Sequence, residues 1–493
     1  MMNRRRCDKQ TDRVGSKEIA RTLVVATVVI TLVGCADILG IETIDSCWDP
    51  TGFEGRGCYR TVGDCKLTKE QLPNACTDSP FVVFDNQKEL GFSAPDDLPK
   101  LDKESAVVPP DTGSSDPDTC PPDNRVIVAG SNAIVPVLSY ISAALHSAST
   151  PITVLYKDPS SCHGAATIFK DVKIGGEFSY WIDEGKPLLT KVPCTMPDQV
   201  IDIGVSDVSG STCGFDEDPD IAVDAPGPIQ AMIFIAPKSS TKRAISAEAA
   251  RLVYGYGGTH ENFSADPWTN VDHIHRRNPT SGTQNLIGAY IGVPSSKFMG
   301  VPNASTSEMV TSMQNTATDD ATSTIGILDV VNRNLAGVPE IVRTLAFQAE
   351  GQNSAFFPDA TNDSRDKRNV RDGHYALWGP IHIYSRPTPM ATVTNVVKYL
   401  SLEQAPATAG KTADENMKEL IRIVAGGHLV PSCAMRVQRA SDGGPLLPQI
   451  PTRSCACFFD ERTTETSCAT CKTDADCGSP DAPKCNFGFC EPQ

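Results

Sequence analysis

The sequence predicts an α/β protein with a mostly parallel sheet and small disulfide-rich appendages at its N- and C-terminal ends. Three observations predict this. From Arg125 onward, short apolar runs alternate with helix-periodic stretches, the order that builds parallel sheets. Four strand-to-helix junctions are short polar turns: Gly130-Ser131-Asn132, Ser160-Ser161, Ser206-Asp207 and Arg277-x-x-x-Ser281-Gly282-Thr283. Most of the 18 cysteines lie outside this region, with Cys47, Cys58, Cys65 and Cys76 before it and eight more from Cys433 onward.

The elements follow in order. Residues 1–34 read as a signal peptide. Arg4, Arg5, Arg6, Lys9, Arg13, Lys17 and Arg21 stand against three acids, and the apolar run over 23–33 is too short for an ordinary membrane span. The run ends Leu32-Val33-Gly34-Cys35, which resembles a bacterial lipobox. Cleavage there leaves Cys35 as the lipidation site, and several acyl chains anchor stably where one is marginal. No later segment is long and apolar enough to span a bilayer. The expected location is the cell envelope, with the chain lipid-anchored outside the cytoplasm.

Export suits the cysteines. Cys7 leaves with the signal and Cys35 takes lipid, so an even number remains to pair as disulfides in an oxidising compartment. Zinc is the rival around Cys468-x-x-Cys471, but no histidine follows His428. No metal site is expected, and the spacing leaves the pairing open. Losing residues 1–34 removes seven positive and three negative charges, moving the net charge from −16 to −20. This acidic balance argues against nucleic acid as a partner and gives no global positive field to steer an anion in, so any anion site works through local N–H groups and one or two buried cations.

Residues 35–92 read as a Cys-containing N-terminal segment. Residues 93–124 read as a linker: seven Pro and seven Asp cannot bury enough apolar surface to fold. Val126-Ile127-Val128 is a buried strand, followed by a helix carrying Ile134, Val137, Leu138, Ile141 and Leu145 at helical spacing. Strands are expected at 152–156, 201–205, 230–236, 271–276, 325–328 and 378–384. Helices are expected from Ser160-Ser161, after the cap Ser246, over 284–291 and across 390–427. Residues 431–493 form a Cys-rich tail.

Each polar turn places small donors where the first N–H groups of a helix lack partners and the helix dipole favours negative charge. In open α/β sheets, ligands bind beyond the C-terminal strand ends, where these turns lie. Singly, each turn has a structural reading: Ser206-Asp207 as a helix cap, Arg277 as a surface ion pair, Ser281-Gly282-Thr283 as a common turn.

Taken together and in this order, residues 125–430 resemble the phosphate-binding subunit of bacterial phosphate ABC transporters, a type II periplasmic binding protein family. The family's Gly-rich turn resembles Gly130-Ser131-Asn132-Ala133-Ile134-Val135-Pro136. Its Tyr-x4-Ser-Ser turn resembles Tyr156-x3-Ser160-Ser161. Its Asp-x-Gly-x-Ser-Asp resembles Asp202-Ile203-Gly204-Val205-Ser206-Asp207, and its Arg-x3-Ser-Gly-Thr resembles Arg277-x3-Ser281-Gly282-Thr283. The resemblance implies a two-lobed type II periplasmic-binding-protein fold, with lobe one at 125–226 plus 387–430 and lobe two, with its crossovers, at 227–386. It implies a ligand site of Ser131, Asn132, Ala133, Ser161, Asp207, Arg277, Ser281, Gly282 and Thr283. It also implies no cofactor, an ABC permease as partner, and a monomer. Two departures stand out: Asn132 replaces a hydroxyl residue, and Cys162-His163 replaces glycines after Ser161, crowding the approach of backbone to ligand. Residues 165–200 read as an insertion.

The residue types suit inorganic phosphate or a similar oxyanion. Hydroxyls and backbone N–H groups donate, and a guanidinium fork matches the oxygens. A carboxylate at Asp207 accepts from a protonated phosphate oxygen and repels sulfate, which carries no proton. No Gly-x-Ser-x-Gly elbow or implied catalytic set is present, so no enzyme is expected. The alternative is a cell-envelope adhesion or scaffold protein that reuses the fold, suggested by the Cys-rich appendages.

Overall fold

A computed structural model describes residues 47–61, 65–83, 101, 106–186, 188–335, 337–361, 364–464 and 466–492. The signal peptide, Cys35 and part of the expected linker lie outside the described residues. The chain divides into two compact units after Leu67. In the first unit, Trp48–Asp49 pairs antiparallel with Cys58–Tyr59, and Cys47 is bonded to Cys65. The rings of Trp48 and Tyr59 meet edge-on at 4.7 Å.

The second unit is a two-lobed α/β structure, the fold class the sequence predicts. Its first strand, β1 (Arg125–Gly130), alternates between two cores. Val126 and Val128 face one, while Ile127 and Ala129 face the other, as the two-residue side-chain period of a strand requires. Then come α1 (Val135–His146), β2 (Thr153–Lys157), α2 (Ser161–Phe169), β3 (Ile174–Ile182), β4 (Thr190–Gln199) and β5 (Ile203–Ser206). Strands β2 and β5 flank β1, both parallel to it. The segment read as an insertion is largely the antiparallel β3–β4 hairpin at the sheet edge.

Strand β6 (Val223–Pro237) is buried from Gly227 to its end. Next are α3 (Ala247–Tyr256), α4 (Gly282–Ile291), α5 (Thr306–Gln314), β7 (Gly326–Asp329), α6 (Val330–Arg333), β8 (Val342–Thr344) and β9 (Trp378–Ser385). The nine-stranded sheet runs β7-β6-β9-β5-β1-β2-β3-β4, with β8 also paired to β6. It is not the mostly parallel sheet the sequence predicts: β1–β2 and β1–β5 are parallel and its other pairs are antiparallel, because the crossover strands β6 and β9 and the β3–β4 hairpin run against their neighbours. The early part of β6 pairs with β9, which in turn pairs with β5, while the later part pairs with β7 and β8. Strands β6 and β9 therefore carry the chain between the two groups of elements. Helices α7 (Ala391–Leu400) and α8 (Ala413–Gly426) return to pack with α1 on β1.

Several elements depart from the sequence reading. The strand expected over 271–276 is a 3₁₀ turn, Val271–His273, followed by the short strand His275–Arg276. The Asn270 side chain accepts from Asp272 N at 3.1 Å and turns the chain there. The helical stretch over 390–427 is two helices, because Leu402 is left-handed at φ 63° and a Thr412–Glu415 capping box starts α8 afresh. Part of the Pro/Asp-rich segment lies along the β3–β4 hairpin. Lys173 N donates to Asp111, Gly113 N donates to Asp198 at 2.9 Å, and Cys120 is bonded to Cys194.

All sixteen cysteines from Cys47 to Cys490 are disulfide-bonded. Cys162 pairs with Cys213. The tail carries Cys433–Cys455, Cys457–Cys468, Cys471–Cys485 and Cys477–Cys490. The tail also packs against the α/β unit. Arg371 donates to Ala434 O and to Asp460, and Asp442 accepts from Ser209 N and Thr212 Oγ1, each at 2.8 Å. Among the described residues, no helix is long and apolar enough to cross a membrane.

Candidate functional site

The site is built from strand ends. Gly130 pairs with Val205 in the parallel β1–β5 ladder, so Ser131 and Asp207 leave the sheet side by side. Gly130 has φ 141°, and a Cβ there would lie 1.9 Å from Val205 O, so only glycine fits. Helix α2 also comes close: a Cβ on Gly164 would lie 2.5 Å from Gly130 Cα. That approach carries Ser161 to Asp207. The Ser161 hydroxyl donates to Asp207 Oδ2 at 2.9 Å, and the Ser131 hydroxyl donates to Oδ1.

The N-terminus of α4 meets them from the other side. Its cap, Ser281, and its first residues, Gly282 and Thr283, are buried. Two bonds join the turns: Cys162 N donates to Thr280 O at 3.1 Å, and Ser160 Oγ donates to Thr280 Oγ1 at 2.9 Å. Between them lies a cavity of about 160 Å³. Of the nine sequence-predicted ligand residues, eight line it: Ser131, Asn132, Ser161, Asp207, Arg277, Ser281, Gly282 and Thr283. Ala133 does not. It is fully buried, and its N–H donates to Ser131 Oγ at 3.2 Å. Cys162 and His163 are also absent from the lining, because Cys162 turns away into its disulfide and the close approach is made at Gly164.

Sequence reasoning missed three contributors. Asp158 ends β2, Asp329 ends β7, and the Ala304-Ser305-Thr306 turn opens α5; all line the cavity. The Ser305-x-x-Glu308 pattern signals this helix start: Ser305 Oγ accepts from Glu308 N at 3.1 Å. Arg277 Nη1 donates to Thr306 Oγ1 at 3.0 Å, and its Nε is buried with no partner among the described residues. Asp329 caps α6, accepting from Asn332 N at 2.8 Å and from Asn332 Nδ2 at 2.7 Å. Asp158 sat at an unspecified position of the Tyr156-x3-Ser160-Ser161 turn, and Asp329 belonged to no turn motif.

The electrostatics are dominated by desolvation. Burial pushes the Asp207 carboxyl up to about 7 against the opposing Ser131 and Ser161 hydrogen bonds. Asp158 is more exposed, at the mouth, yet the surrounding protein raises it to about 6 despite Arg277. Asp329 is raised by burial, and Arg277 is lowered by burial against the pull of the three aspartates. The cavity thus combines hydroxyls, helix N-termini, one guanidinium and three carboxyl groups. It can grip an oxygen-rich anion and accept protons from it.

No family model and no curated protein sequence matches this chain. Solved structures do. One is from Clostridium perfringens, assigned to phosphate ABC transport as a substrate-binding protein and holding phosphate; it is 12% identical, with a TM-score of 0.41 over 62% of this chain and 99% of that one. An ABC-type phosphate transport receptor from Vibrio cholerae is 11% identical, with a TM-score of 0.38 over 62% and 99%. The reduced OxyR regulatory domain from Pseudomonas aeruginosa is 9% identical, with a TM-score of 0.32 over 56% and 95%. Likenesses at 9–12% identity concern the fold alone.

Proposed function

We propose that this chain is a lipid-anchored solute-binding protein that captures phosphate or a similar oxyanion and delivers it to an ABC permease. One observation carries the reading: the turns that open α2, α4 and α5 meet the ends of β1 and β5 at one small cavity that also holds Arg277 and Asp207. Helix N-termini supply N–H donors and a favourable dipole, and a guanidinium binds oxyanions through a planar fork. Asp207 accepts from a protonated ligand oxygen and disfavours sulfate. The lobes, joined by β6 and β9, close over the ligand by hinge motion. Anchoring is through Cys35, and no catalytic step is assigned.

The test is thermal unfolding of the exported chain with phosphate, arsenate, a phosphonate or sulfate. Ligand at about 100 times its dissociation constant adds about 2.7 kcal/mol of stability. Stabilisation by phosphate but not by sulfate is expected. No response to any of the four would overturn the reading. It would favour the adhesion or scaffold reading, which the tail supports, since its four disulfides brace a surface that an oxyanion carrier does not need.

A further inference from the structure

Resting on the oxyanion reading above, we propose that the cleft takes its ligand as a proton-bearing tetrahedral anion, the monobasic form for phosphate, and that Asp158 and Asp329 act with Asp207 to set this preference.

The argument starts from a charge count. Asp158, Asp207 and Asp329 arrive at the ends of three strands, β2, β5 and β7, and all line the cavity. Arg277 is the one cation in that lining. Its Nη1 is held by Thr306 Oγ1, and its Nη2 reaches Ala304 O at 3.4 Å. Other charged and titratable groups act on the set from neighbouring elements. Glu308 on α5 acts on Arg277, Lys191 on β4 acts on Asp158, and Tyr156 on β2 is buried beside Asp158 and Asp207. The Tyr156 phenol donates to Gly130 O at 3.1 Å and stays neutral, with burial holding it well above its ordinary range. One guanidinium cannot offset a dianion together with the buried carboxylates of Asp207 and Asp329 and the more exposed one of Asp158.

Protons resolve the imbalance. Both oxygens of Asp207 already accept serine hydroxyls, yet each keeps a lone pair for a ligand O–H. Asp329, whose oxygens accept from Asn332, and Asp158, beside Asn132, offer further acceptor positions. A monobasic phosphate has two O–H groups to give; a dibasic one has a single O–H and an extra charge. The raised carboxyls point the same way: the site already disfavours their charged forms, and an arriving anion disfavours them further, so the complex holds more protons than its separated parts. Among the described residues, the three carboxylates are not a group close enough to share an ion. Among the described residues, the group of possible metal ligands close enough to share an ion is Cys471, Cys477 and Cys490, all of them in disulfides.

The experiment is calorimetric titration of inorganic phosphate into the full exported chain, from about pH 5 to about pH 9, in paired buffers that differ in protonation enthalpy. Affinity should fall at least about tenfold toward the alkaline end, with net proton uptake there. Sulfate should not bind at about pH 8 and above, where Asp207 is ionised. Asp158→Asn and Asp329→Asn should each reduce the uptake and flatten the profile; asparagine at 329 keeps a good helix cap. Phosphate binding that is flat with pH, or tighter at high pH, would overturn this inference and leave the oxyanion reading intact. Wild-type profiles in both variants would overturn the assignment of Asp158 and Asp329. No phosphate binding at any pH would overturn both readings.

Discussion

Asp207 and Gly282 meet across the cavity: a methyl group on Gly282 would lie 2.5 Å from Asp207 Oδ2 and 2.3 Å from Ser161 Oγ. The end of β5 and the start of α4 are thus in contact through an absent side chain. Gly282→Ala tests this contact. Alanine would gain about 1 kcal/mol of helix propensity, but forcing a methyl into a packed site costs about 1–3 kcal/mol. The expected outcome is a lower melting temperature and loss of phosphate binding. A more stable variant with unchanged binding would show that the contact yields freely.

Arg277 is the cation of the cavity lining, with Nη1 set by Thr306 and a buried Nε left without a described partner. Arg277→Ala should keep the fold and weaken phosphate binding by about 2–3 kcal/mol, the scale of a charge-assisted hydrogen bond. Calorimetry checks this, and wild-type affinity would remove Arg277 from the site.

Asp207 makes the ligand-free protein sensitive to pH. Its carboxyl is raised to about 7 in the fold, against about 3.9 in an unfolded chain. Between those values the folded state binds more protons than the unfolded one. Its contribution to stability is therefore complete below about pH 4 and is lost as pH rises through about 7. Relative to Asp207→Asn, the wild type should lose on the order of 2 kcal/mol between about pH 5 and about pH 8. Denaturant melts at several pH values measure it, and a constant difference between the two proteins would contradict it.

The Cys162–Cys213 bridge joins the turn that carries Ser161 to the loop that follows Asp207. It closes a loop with a sequence separation of 51, so replacing both cysteines by serine should cost about 2–4 kcal/mol. Phosphate affinity should fall with it, because Ser161 and Asp207 lose their shared brace. Equal affinity in the double variant would confine the bridge to a stability role.

Asp442 ties the tail to the loop beside the cavity through Ser209 N and Thr212 Oγ1. It is also the carboxylate that acts on Arg439, whose guanidinium stacks 3.9 Å from the Trp378 ring centre. Asp442→Ala leaves that buried N–H without an acceptor and should destabilise the protein by about 1–3 kcal/mol. A chemical melt checks this, and a neutral result would mark the tail contact as energetically idle.

By itself, the sequence determined the class of fold and most of the small donors around the cavity. Strand–turn–helix alternation is a local signal, as are Ser, Gly and Asp at helix starts, so β1, β2, β5 and α4 were legible in residues 125–291. What only the tertiary structure decided was everything that depends on distant segments meeting. No motif singles out Asp158 or Asp329; they enter the cavity because the ends of β2 and β7 converge on it. The disulfide pairing required the folded chain, since spacing alone does not say which sulfurs come within bonding distance. The β3–β4 hairpin lies in the segment read as an insertion, and its place at the sheet edge is fixed by pairing with β2 and by the Cys120–Cys194 bridge. The excess of acid over base in the cleft likewise emerged only when elements far apart in the chain were brought to one point. Local propensity is written residue by residue, while burial and electrostatic balance belong to the assembled site.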